Sequence, residues 1–225
     1  GSGGSFTFND FAGSSTLLLS GDDTFSADGA IMIFNREVHV GASTTVSAIN
    51  GATYTFGAVH QSDADAIYSA QDGSTFVFSD EFNGTGNQTF TAGNAEDFGF
   101  NEVFFADGGV ATFSNVTVTI DSLTVEDAYG FAFDGIDQAT VEVRGESVFE
   151  GSHTFTFEDD AVFTADGEVS FADDATITLV GDGSLNANGE VTTGTGTTTF
   201  VLNPSVVVDE SLNLSLGSVS SAVKL

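Results

Sequence analysis

Phe34, Phe56, Phe78 and Phe100 lie 22 residues apart, and Met32, Tyr54, Phe76 and Phe98 repeat the count two positions earlier. Side chains at i and i+2 of a strand share one face. Two bulky apolar residues separated by one, returning at a constant interval, set each coil of chain on the coil before it. That is the signature of a solenoid, whose unit buries its apolar face only by stacking on its neighbours. Two more rows keep the interval: Val38, His60, Phe82 and Phe104, and Val46, Tyr68 and Phe90. Three strand faces on one period predict a coil of three short strands and three bends.

The bends carry their own signal. Asp28-Gly29, Asn50-Gly51 and Asp72-Gly73 keep the 22-residue step, and Asn94-Ala95 continues it. These residue types suit tight turns because they tolerate positive φ. The count then slips. Asp107-Gly108 follows 13 residues after Asn94, which predicts an irregular coil or an insertion near residues 101–125. Beyond it the interval returns in Phe133, Phe155 and Ile177, in Phe157, Leu179 and Val201, and in Val141, Phe163, Leu185 and Val207. Turns at Arg144-Gly145, Asp166-Gly167 and Asn188-Gly189 accompany these rows. Helix signals are nearly absent, proline occurs once at Pro204, and no linker composition divides the chain. The expectation is an all-β chain in which residues 1–225 form one parallel β-helix domain of about ten coils.

Like residues stacked inside, with Asn and Asp at the bends, give the sequence its likeness. It resembles right-handed parallel β-helix surface proteins such as autotransporter passenger domains and large secreted adhesins. The resemblance rests on period and composition across most of the chain. It implies an extracellular or cell-surface location and a structural or adhesive role.

Charge narrows the partners. The chain has 33 Asp plus Glu against 3 Lys plus Arg, a net charge of −30, with fixed cations only at Arg36, Arg144 and Lys224. Nucleic acid and anionic lipid both need clustered Lys or Arg, so neither is an expected partner. Divalent cations and basic partners are attracted. Cysteine is absent, which rules out disulfides. No apolar run is long enough for a membrane-spanning helix, so membrane insertion is not expected. The chain opens on Gly-Ser-Gly-Gly-Ser and not on Met, which fits a processed or excised piece. Asn83, Asn87, Asn115 and Asn213 stand in Asn-x-Ser/Thr acceptors.

Two acidic columns are candidate sites. Asp28, Asn50, Asp72 and Asn94 alternate carboxylate with amide, so each Asn can hydrogen-bond to a neighbouring coil. Glu146, Glu168 and Glu190 share one phase without that relief. Carboxylates on coils about 4.8 Å apart repel by about 1 kcal/mol per pair even in water. A hard cation such as Ca2+ bridging the three is the candidate metal, and no other cofactor is called for.

Catalytic patterns are thin. His39, His60 and His153 are isolated, and His60 shares the phase of Val38 and Phe82 at the edge of the core. Asp22-Asp23, Glu158-Asp159-Asp160 and Asp173-Asp174 supply paired acids. Polysaccharide-cutting β-helix enzymes use such clusters, but the Gly-His-Gly and Arg-x-Lys of the polygalacturonase type are absent. Arg144 is read as neutralising its acidic neighbours. Thr195, Thr197 and Thr199 alternate, yet an ice-matching array needs Thr pairs on many coils at one phase, and this run is one segment.

Both ends of the sequence imitate interior strands: Phe6 and Phe8 at the start, Val206, Val208, Leu212, Leu214 and Leu216 at the finish. Exposed strand edges invite pairing with another copy. The expected function is therefore a non-enzymatic extracellular structural protein. It would be a subunit of a surface filament or adhesive stalk, a homo-polymer joined end to end through these residues. The alternative is a carbohydrate-binding adhesin or a polysaccharide-degrading β-helix enzyme acting on surface glycans.

Overall fold

The computed structural model describes residues 4–8, 16–20, 24–93, 97–106, 108–126, 129–134, 139–172, 175–194, 197–204, 212–219 and 223–224. They form strands and bends, with no helix among the described residues. Adjacent strands pair in parallel along three faces. The first face stacks Ser5–Phe8, Ile31–Phe34, Thr53–Phe56, 75–78, 97–100, 117–120, Thr140–Val143, 162–165, 183–187 and 212–216. The second runs from Leu17–Leu19 through Val38–Val40 and His60–Ser62 to Val169–Phe171, 191–193 and 218–219. The third runs from Thr24–Asp28 through Thr44–Ile49 and Ala66–Ala70 to Thr198–Pro204 and Val223–Lys224. The chain is thus an all-β parallel solenoid of about eight turns, fewer than the ten expected. Incomplete rungs flank the turns at either end of the described residues.

The inward positions make one continuous dry column. Phe34, Phe56, Phe78 and Phe100 lie ring over ring at 5.1, 4.7 and 4.6 Å. Tyr54, Phe76 and Phe98 stack beside them at 5.0 Å per step. Rings from the third face, Tyr68 and Phe90, meet these stacks edge-on. Burial of each ring supplies the main stabilisation, and ring–ring geometry adds about 0.5–1.5 kcal/mol per pair.

The corners explain how short strands close into a coil. Asn50 and Asp72 have φ of 56°, and Gly51 and Gly73 follow at 72° and 76°. Asn50 Nδ2 donates to Asp28 Oδ1 on the preceding coil at 2.7 Å. The expected Asp–Asn alternation is therefore present as a hydrogen bond. The same device recurs at the other two corners, Asn87 Nδ2 to Asp65 Oδ1 at 3.0 Å and Asn188 Nδ2 to Asp166 Oδ1 at 2.8 Å.

The irregular coil expected near residues 101–125 is present as a short one: Phe98 pairs with Val118, 20 residues on. Two of the expected rows need correction. A register shift between Phe78 and Glu81 puts Val103, not Phe104, under Phe82. On the third face Phe131 pairs with Phe155 and Phe133 with Phe157, a step of 24, and Thr178 with Val201, which is therefore outward. The turns of the second block occupy a different corner from those of the first. Arg144-Gly145 lies between the first and second faces, and Asn50-Gly51 between the third and first.

Candidate functional site

Among the described residues the first face runs from the rung Ser5–Phe8 to the rung 212–216. Among the described residues Ser5–Phe8 pairs with Ile31–Phe34 alone, and 212–216 pairs with 183–187 alone. Phe6 heads the inward row of Met32, Tyr54 and Phe76 but is 58% exposed, because nothing described covers it. At the other end Leu214 and Leu216 are half-buried against the core, in register with Leu185 and Ala187. The side chains of Phe8 and Leu212 and the whole of Val206 and Val208 lie outside the described residues. The described members of the expected end set thus fall on two opposite edges of one face.

Glu146, Glu168 and Glu190 do stack, since Ser147, Val169 and Val191 beside them pair rung by rung. All three are exposed, and Glu168 Oε1 accepts a 3.4 Å hydrogen bond from Thr192. Among the described residues no three His, Asp or Glu side chains converge as a metal-binding group. Arg144 lies in the same acidic region and donates from Nε to Glu142 Oε1 at 3.0 Å.

The histidines are structural participants. His60 is fully buried, deeper than the core edge expected for it. Its Nε2 is 2.6 Å from the Tyr68 hydroxyl, and its ring stacks on Phe82 at 5.3 Å. Burial pushes His60 down to about 3, with a smaller push from His39, and burial raises Tyr68 well above the usual phenol range. A neutral imidazole held among rings in this way is shielded from any substrate. His39 pairs with Asp63 at 2.7 Å on the surface, and buried His153 Nδ1 meets the Tyr129 carbonyl at 3.1 Å. Asn87, one of the Asn-x-Ser/Thr acceptors, has both ends of its amide engaged, with Asp65 and with the Val110 N–H.

The outer faces hold a feature missed in the sequence. Thr24, Thr45, Ile67, Thr89 and Thr112 stand in one outward row of the third face, and Ser26, Ser47, Ser69, Thr91 and Ser114 in the next. A shallow hollow of about 590 Å³ lies along the first row, lined by Thr24, Thr45, Ile67 and Thr89 together with Asp65 and Asn87 from the neighbouring corner. Alternation of Thr or Ser with the half-buried Phe25 and the buried Val46, Tyr68, Phe90 and Phe113 could have revealed the array, had the step not varied between 21 and 23 residues. Of Thr195, Thr197 and Thr199, the first lies outside the described residues. Thr199 joins the Thr176 row of the same face.

These observations define the class: a parallel β-solenoid with an aromatic interior and acidic corners. Comparison with protein-family models, curated proteins and solved structures finds no match for the chain.

Proposed function

We propose that this chain is a non-enzymatic structural protein, one unit of an extracellular filament or adhesive stalk in which the coil stack continues from copy to copy. The observation that carries the reading is the pair of edge rungs on the first face, Ser5–Phe8 and 212–216, each joined to the ladder on one side among the described residues. Parallel strands have distinct N- and C-terminal edges in the stack, so the edge under Leu214 and Leu216 is the natural template for the edge bearing Phe6. Head-to-tail contacts of that kind are heterologous and propagate instead of closing. Added main-chain hydrogen bonds would supply affinity, and burial of Phe6 would supply register. The acidic corners keep such rods apart laterally and leave room for divalent cations between them.

Negative-stain electron microscopy of the purified chain, with and without millimolar calcium, tests the reading. Filaments with an axial repeat of about 40–50 Å, the height of eight to ten coils at about 4.8 Å each, are expected. Separate short rods in both conditions would reject end-to-end assembly.

A further inference from the structure

The paired rows of the third face form a two-dimensional array. Thr24 with Ser26, Thr45 with Ser47, Ile67 with Ser69, Thr89 with Thr91 and Thr112 with Ser114 project outward on five successive coils. Ile67 apart, every position carries a hydroxyl. Strand geometry sets the repeat at about 4.8 Å from coil to coil and about 6.6 Å between the two rows. Branching at the Thr β-carbon limits χ1, so the Thr hydroxyls are held in place. Among the described residues none of these hydroxyls has a hydrogen-bond partner within the protein.

Charge distribution decides what such a face can meet. The chain carries −30, yet no ionisable side chain interrupts these ten positions, because the neighbouring acids Asp28, Asp65 and Asp72 sit at the corners. Within these ten positions a charged partner finds no charge to pair with, although Asp65 borders the first row and Asp134 continues the second on the next coil. A sugar chain would want an aromatic platform, and no ring projects from these rows. A second copy would bring the same hydroxyls with little apolar area to bury, while its acidic corners repel. What remains is a rigid, neutral lattice that both donates and accepts hydrogen bonds and repeats in two directions.

We infer that the third face binds ice. Water oxygens on the surfaces of hexagonal ice repeat in two directions at comparable separations. The five Thr hydroxyls, restricted by branching, meet several of them at once with little further ordering, and the four Ser hydroxyls rotate to join them. Methyl groups of the Thr residues fill the gaps between them. The inference stands independently of end-to-end assembly.

The test is partition of the purified chain into slowly growing polycrystalline ice, together with microscopy of ice recrystallisation. The wild-type chain should be retained in the ice and slow recrystallisation. Thr45→Lys with Thr89→Lys should lose both effects, and the gentler Thr45→Val with Thr89→Val should weaken them, with the circular dichroism of the folded chain kept. Thr55→Lys, outward on the first face, should leave both effects intact. Retention no greater than that of an acidic control protein would overturn the inference. So would equal retention of all the variants, or adsorption to crystalline cellulose or chitin without adsorption to ice.

Discussion

His60 Nε2 and the Tyr68 hydroxyl, 2.6 Å apart, form a polar pair enclosed by Phe56, Phe78 and Phe82. The unfolded chain protonates this imidazole near 6.5, whereas the folded chain resists protonation down to about 3. The stability due to neutral His60 is therefore complete above about pH 6.5 and lost as pH falls towards 3. The loss runs at about 1.4 kcal/mol per pH unit. Denaturant midpoints measured from neutral pH downward should fall accordingly. His60→Phe with Tyr68→Phe should flatten that slope, since the pair is replaced by rings of similar shape. Tyr68→Phe alone should destabilise by about 1–3 kcal/mol by stranding the imidazole.

Phe78 sits between Phe56 at 4.7 Å and Phe100 at 4.6 Å and is 1% exposed. Phe78→Ala should cost about 3–5 kcal/mol. Because each coil rests on its neighbours, the loss should appear as earlier unfolding of the whole stack in calorimetry. Phe6→Ala, at the exposed edge, should change monomer stability by about 0.5 kcal/mol or less.

Gly145, Gly167 and Gly189 stack at the corner between the first and second faces. A methyl group at Gly167 would collide with the Gly145 carbonyl, and one at Gly189 with the Gly167 carbonyl. Gly167→Ala should destabilise by about 2 kcal/mol or more through backbone displacement. Gly99→Ala, where a methyl group meets nothing within 4 Å, should be neutral or stabilise by about 0.4–1 kcal/mol. Parallel thermal melts of the two variants separate the cases.

Asn50→Asp keeps a residue tolerant of the 56° φ but turns the 2.7 Å donor contact with Asp28 into a meeting of two carboxylates. A loss of about 1 kcal/mol is expected at low ionic strength, recovering as salt screens the pair. Stability measured against salt concentration checks this, and a salt-insensitive loss would point to the turn and not to the charge.

The solenoid was legible because Phe34, Phe56, Phe78 and Phe100 keep a strict step and each ring lies over the last. The Asp28–Asn50 bond was legible for the same reason. Elsewhere a constant count misleads, since backbone pairing tolerates a residue gained or lost at a corner while the inward row continues. The register shift after Phe78 turned Phe104 outward and Val103 inward. The long step between Phe131 and Phe155 displaced the rows of the second block by two. The paired Thr and Ser rows were hidden by steps of 21 from Thr24 to Thr45 and 23 from Thr89 to Thr112. Depth was also invisible: His60 reads as one apolar-phase position, and only the rings around it show that it is sealed.

Each coil contacts the coils directly above and below, and no contact ties the first described rung to the last. Length is consequently a heritable variable. A duplication or deletion of two whole periods keeps the Asp–Asn alternation of the corner at Asp28 and Asn50 and leaves the ring stacks with equivalent neighbours. Such a gene can lengthen or shorten its rod by pairs of coils without inventing a new core.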